Sequence, residues 1–203
     1  MCAREHSGAR ARRYTCCVRP PIKDSERLPR ALELELQRAA KPGRGADAVA
    51  WMTKARRAEA EGRREAAYRA ACRVKEMAPR SSSVRRVIGV AAWHTDRWHE
   101  ASQELLAYRR FTGDCSFDPA IAECYRRLGR PERARDFLAP LKPEDVSAPV
   151  WADAQVVRAR SFADVGRAEV GRDLLESALR AARSPAARDR LRGGLESLAA
   201  APQ

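Results

Sequence analysis

Apolar positions along this chain fall in short blocks punctuated by glycine, aspartate and proline. The stretch from Gly62 to Pro79, GRREAAYRAACRVKEMAP, shows the form: a glycine, a run rich in arginine and alanine, then a proline. Alanine supplies much of the apolar content, which points to close-packed helices. No long alternation rich in Val, Ile and Thr marks a half-buried strand, so a sheet is not expected. The pattern predicts an all-α chain.

The block is one copy of several. DRWHEASQELL starts at Asp96, GRPERARDFLA at Gly129 and GRAEVGRDLLE at Gly166, so the four starts are spaced by 34, 33 and 37 residues. An arginine follows each start: Arg63, Arg97, Arg130 and Arg167. Five residues after each start sits a small residue, Ala67, Ala101, Ala134 or Gly171, and seven before sits another, Ala55, Gly89, Ala122 or Ala159. A start residue that tolerates an unusual turn separates two helices of about a dozen residues. The small residues then fall where the two helices cross, and only Gly or Ala lets the backbones close in. One hairpin cannot bury its own apolar face, so such hairpins stack.

The flanks follow from punctuation. Ser25 to Ala40 reads as a helix, followed by the linker KPGRG. Asp118 before Pro119 and Ser184 before Pro185 read as N-cap and first-turn proline pairs. APLKPED, Ala139 to Asp145, ends the second helix of the third hairpin early and accounts for the longer spacing. Gly193 lies 34 residues after Ala159, so the last helix is expected to dock as a further first helix. The expected organisation is a basic, disordered tail over 1–25 and a helix with its linker over 26–46. Four hairpins over 47–183 and a capping helix over 184–203 complete it.

These units resemble tetratricopeptide repeats. Trp51 lies eleven residues before Gly62, at the family's first-helix tryptophan, and Tyr125 and Phe162 lie four before their starts, at its usual aromatic position. Pro79 stands at the terminal proline, whereas Gly113 and Arg183 replace that proline in other units, and Ala58 and Ala92 replace the aromatic. The resemblance covers about residues 47 to 183 and implies an α-α superhelix of four hairpins. It also implies a concave groove, lined by the first helix of each hairpin, that takes a peptide segment of a partner protein. Carried over at the repeat spacing, that stripe holds Arg56, Arg86, Val90, Trp93, His94, Arg126, Arg127 and Arg160. Trp93 is the expected apolar anchor and the arginines the expected partners for carboxylates, so the ligand is expected to be acidic or mixed. The family's clamp for chaperone C-terminal carboxylates uses asparagines in this groove, and the chain contains no asparagine.

Length and charge narrow this further. A chain of 203 residues fits one domain or a small array. Arginine outnumbers lysine by 35 to 5 and the net charge is +13. That bias resembles the coding of a GC-rich bacterium. Residues 1–80 carry 20 basic and 10 acidic side chains, the rest 20 and 17. Arg10, Arg12, Arg13 and Arg19 are therefore candidates for contacting nucleic-acid phosphates, the alternative to the peptide-binding reading. A solvated tail accounts for the same residues, and a true start at Val18 would place Arg10, Arg12 and Arg13 before the protein's first residue.

Catalytic chemistry finds no support. CYRRLGR, Cys124 to Arg130, has the spacing of a cysteine-phosphatase loop, but a helix end would consume the backbone N–H groups that such a loop aims at its anion. His94, His99, Cys115 and Cys124 match no zinc-ligand spacing. No cofactor, metal or enzymatic activity is expected. VIGVAAW, Val87 to Trp93, is the longest apolar stretch and far too short to span a membrane. With no targeting signal, the expected location is cytoplasmic and the six cysteines are expected to be reduced. The resulting expectation is an interaction module or adaptor.

Overall fold

The computed structural model describes residues 28–200. They form ten α-helices and one short 3-10 turn, with no strand among the described residues. A leading helix α1 (Arg30–Ala39) precedes four helical hairpins: α2 (Gly45–Ala60) with α3 (Arg64–Met77), α4 (Ser82–His94) with α5 (Trp98–Thr112), α6 (Asp118–Arg127) with α7 (Pro131–Leu138), and α8 (Ala148–Ala163) with α9 (Ala168–Ala181). A last helix, α10 (Pro185–Ala199), packs on both α8 and α9. Each hairpin packs on the next through its second helix, α3 on α4, α5 on α6 and α7 on α8. α6 also meets α8 directly.

The four hairpin turns are copies of one backbone structure. Gly62, Asp96, Gly129 and Gly166 all take left-handed φ, at 72°, 61°, 72° and 76°. The arginine after each donates its N–H back to the carbonyl five residues earlier, on Ala58, Ala92, Tyr125 and Phe162, at 2.8–2.9 Å. The turn residue itself donates to Glu59, Trp93, Arg126 or Ala163. This pair of bonds closes the free carbonyls at the end of each first helix, and its left-handed residue is why glycine recurs there. Aspartate is among the few other residues that tolerate this region, which accounts for Asp96.

Small residues hold the helix crossings. Ala55, Gly89, Ala122 and Ala159 are buried, and so are Ala67, Ala101, Ala134 and Gly171. A Cβ on Gly171 would lie 2.5 Å from the carbonyl oxygen of Ala159, so these two backbones touch across the fourth hairpin. A Cβ on Gly89 would lie 2.7 Å from two carbons of the Leu105 side chain. Among the described residues the core runs along the stack as three larger clusters, with Met52 and Val74 in the first, Leu105 and Ile121 in the second and Leu175 and Leu191 in the third, and one small cluster of Ala92, Ala101 and Cys124.

Three local expectations change. α1 begins at Arg30, because Pro29 is extended (ψ 138°) and a proline ring cannot occupy a helix interior without displacing the turn before it; the expected start at Ser25 lies outside the described residues. Asp118 does not cap α6. Phe117 holds the cap position, and the Asp118 carboxylate is buried against Arg109, 2.8 Å away. In α10 the close contact falls on Gly194, where a Cβ would meet Val156 at 2.7 Å, one residue beyond Gly193. α7 ends at Leu138, and the 3-10 turn Pro143–Asp145 fills part of the connection to α8.

Candidate ligand groove

The eight stripe residues sit on the first helices α2, α4, α6 and α8, but they do not share one environment. Arg56 is half-buried on α2, with no hydrogen bond or ion pair among the described residues. Arg86 is half-buried on α4 and acts electrostatically on Tyr108 of α5 and on Asp114 just beyond that helix. Val90 is buried in the second core cluster with Leu105 and Ile121, so its side chain is committed to the fold. Arg160 donates to Ser197 of α10 at 3.0 Å.

The turn ends of the second and third hairpins bring the aromatic chemistry together. Trp93 at the end of α4 lies edge-on to Trp98 at the start of α5, with ring centroids 6.3 Å apart, and edge-on to His94 at 5.1 Å. Such edge-to-face pairs match the ring quadrupoles. Trp93 is half-buried, against the small cluster of Ala92, Ala101 and Cys124. Its indole N–H is buried and finds no acceptor among the described residues. Burial, with help from the charge of Arg64, lowers the His94 pKa, so His94 is neutral at pH 7. Arg127 reaches across from α6 and places its guanidinium 5.5 Å from the Trp98 ring centre. It is the exposed arginine of this group, with half of its side chain in solvent.

Arg126 is a different case. Its Nε and Nη2 donate to Glu123 at 2.9 and 2.8 Å, and its Nη1 donates to both oxygens of Asp164 at 2.8 and 2.9 Å. Only 13% of the side chain is exposed. The expectation of a free fork at Arg126 therefore does not hold: all three nitrogens are used inside the chain, tying α6 to the end of α8. Glu123 also accepts from Arg127 at 3.0 Å. Burial alone would raise the Glu123 carboxyl. The hydrogen bonds from Arg126 and the charges of Arg126, Arg160 and Arg127 outweigh it and hold the group below the usual glutamate value.

Sequence reasoning passed over Glu123 and Asp164 as partners. A signal for the first was present, since Glu123 stands three and four residues before Arg126 and Arg127 on one helix. Asp164 lies on the same stripe one hairpin on, and only the stacking of α6 against α8 brings it to Arg126.

The remaining candidates separate cleanly. Cys124 is fully buried inside α6, and burial pushes its thiol well above the ordinary range, so it is not a thiolate nucleophile at neutral pH. Among the described residues no three His, Cys, Asp or Glu side chains converge as metal ligands. No helix among them is long and apolar enough to cross a membrane. Arg10, Arg12, Arg13 and Arg19 lie outside the described residues. Comparison of the chain with family models, with curated proteins and with solved structures finds no match.

Proposed function

We propose that the hairpins form a tetratricopeptide-like superhelix that works as an adaptor, binding a peptide segment of a partner protein along its first helices. The four copied turns and the small-residue crossings support the architecture, because they fix each hairpin in the same internal geometry. The observation that carries the functional reading is the patch of Trp93, Trp98 and Arg127. It combines a half-buried aromatic pair with an exposed guanidinium, drawn from two adjacent hairpins. Tryptophan and arginine are the residues on which binding energy concentrates. A partner side chain packed on the indoles, with a neighbouring Asp or Glu on Arg127, uses both groups at once. Arg56 and Arg86, half-buried farther along the stripe, extend the positive lining.

The test is direct binding. Fluorescence anisotropy of labelled peptides carrying a Leu or Phe flanked by Asp and Glu, against otherwise identical peptides with Lys and Arg flanks, reads the charge preference. Acidic flanks bound in preference, with Arg127→Gln weakening them and sparing the melting temperature, supports the reading. Equal binding of both flanks, or none of either, overturns it.

A further inference from the structure

The groove side of the first hairpin is already covered. Met52 lies ten residues before Gly62, the stripe position held by Arg86, Pro119 and Val156 in the other hairpins, and like Pro119 and Val156 it is buried. Its cover includes α1. Leu28 and Leu36 share a cluster with Ala48, Met52, Val84 and Ile88, and Leu32 packs against the same cluster. Leu32 and Leu36, four apart, lie along one side of α1, and Leu28 joins them from the non-helical residues before it. α1 packs on α2, and at the link between them a Cβ on Gly45 would lie 3.5 Å from the Gln37 backbone.

Glu35 then reaches the next hairpin. Its carboxylate accepts from the Ser81 hydroxyl at 2.6 Å, the Ser82 hydroxyl at 3.3 Å, and the Ser83 N–H and hydroxyl at 3.0 and 2.5 Å. These are the groups at the start of α4, where a helix end favours negative charge. α1 thus lies over the first helix of one hairpin and is pinned to the first helix of the next.

α1 is short, so its helix depends on these contacts. α1 has ten residues, too few to persist as an isolated helix in water. Residues 40–44, with Pro42 and a left-handed Gly43, join it to α2. Its sequence also has the chemistry proposed for the ligand: Leu32, Glu33, Leu34, Glu35, Leu36.

We infer that α1 is an internal ligand, which holds the groove face of the first hairpin until a partner helix with leucines four apart and glutamates between them displaces it. The inference rests on the peptide-groove reading above and adds to it the ligand pattern and a means of control.

The probe is a labelled peptide of residues 28–40, added to the full-length chain and to its Glu35→Ala variant. Removing the carboxylate leaves the leucine contacts in place and weakens only the hold of α1. The variant should bind the peptide about tenfold tighter than the parent, the scale of lost hydrogen bonds to a charged group. A peptide with Leu32→Ser and Leu36→Ser should bind neither. Hydrogen exchange of the parent gives a second reading, in which the α1 amides exchange together and faster than those of α2 and α3. Equal peptide affinity for parent and variant, no binding to either, or α1 amides as protected as those of α2 overturns the inference and makes α1 a fixed cap. Trp93-dependent peptide binding beside an immobile α1 leaves the groove reading standing alone. Release of α1 without any Trp93-dependent binding does the reverse.

Discussion

Arg126 and Asp164, 38 residues apart in the chain, meet through one guanidinium nitrogen that donates to both carboxylate oxygens at 2.8 and 2.9 Å. With Glu123 on the other side of the same guanidinium, this contact joins the third hairpin to the fourth. The first expectation concerns its loss. Arg126→Ala leaves the buried Glu123 carboxylate short of its main partner, a change that costs about 3 kcal/mol when a buried pair is broken. Chemical denaturation should show that loss, while Arg127→Ala, whose guanidinium is half in solvent and which leaves Arg126 on Glu123, should cost under about 1 kcal/mol. Equal losses at the two positions would contradict this assignment.

Acid should act through the same group. Glu123 is held below the usual glutamate value, chiefly by Arg126 against the opposing effect of burial. A carboxylate of that kind stabilises the fold above about pH 4.3 and gives that stability up as pH falls through its folded-state pKa. The parent should therefore lose stability in the acid range below about pH 4.3, on the unperturbed glutamate scale. Glu123→Gln should be less stable than the parent at pH 7 and flatter on acidification. Denaturation midpoints measured from pH 7 to pH 3 check this, and parallel curves for parent and variant would count against it.

The crossings give an expectation about the fold. Gly171→Ala would place a Cβ 2.5 Å from the Ala159 carbonyl oxygen, and a backbone atom cannot move aside as a side-chain tip can. The cost should be about 1–3 kcal/mol, the usual scale of overpacking. Gly89→Leu should cost at least as much, because Leu105 is itself fully buried. Ala50→Leu, on the exposed side of α2, should stay within about 0.5 kcal/mol of the parent. Thermal melting of the three variants decides the matter, and similar losses at all three would contradict the crossing geometry.

The hairpin turns were legible because each depends on a local requirement. Only a few residues accept a left-handed φ, and the crossings accept only the smallest side chains, so Gly62, Gly129, Gly166, Gly89 and Gly171 stand out in the chain. Asp96 was found by spacing, since its residue type alone marks no turn so strongly. The candidate groove was less legible. Periodicity places Val90, Trp93 and Arg126 on one side of their helices but says nothing of what lies opposite. Val90 is claimed by Leu105 and Ile121, and Arg126 by Asp164 of the following hairpin. The cover over Met52 was invisible for the same reason. It depends on where α1 docks, which no spacing within the repeats encodes.

The basic N-terminal region supports a separate test. Residues 1–80 hold most of the excess positive charge, and the alternative reading assigns Arg10, Arg12, Arg13 and Arg19 to phosphate contacts. If they act so, generic RNA or DNA should bind the full chain with an affinity that falls steeply with salt, and deletion of residues 1–25 should remove most of it. Filter binding at several salt concentrations reads both. Binding that survives the deletion, or that ignores salt, would exclude those four arginines as the contact.

The central claim is that Trp93 anchors a partner peptide. Its ring is half-buried against Trp98 and His94, so Trp93→Ala should lower stability somewhat as well as binding, and the two effects must be read separately. The most direct measurement is the affinity of an acidic, leucine-containing peptide for parent and Trp93→Ala chains by fluorescence anisotropy, at a temperature where melting curves show both fully folded. We expect the variant to lose about 2 kcal/mol of binding, the scale of a hot-spot truncation. A folded Trp93→Ala chain that binds the peptide as tightly as the parent contradicts the claim.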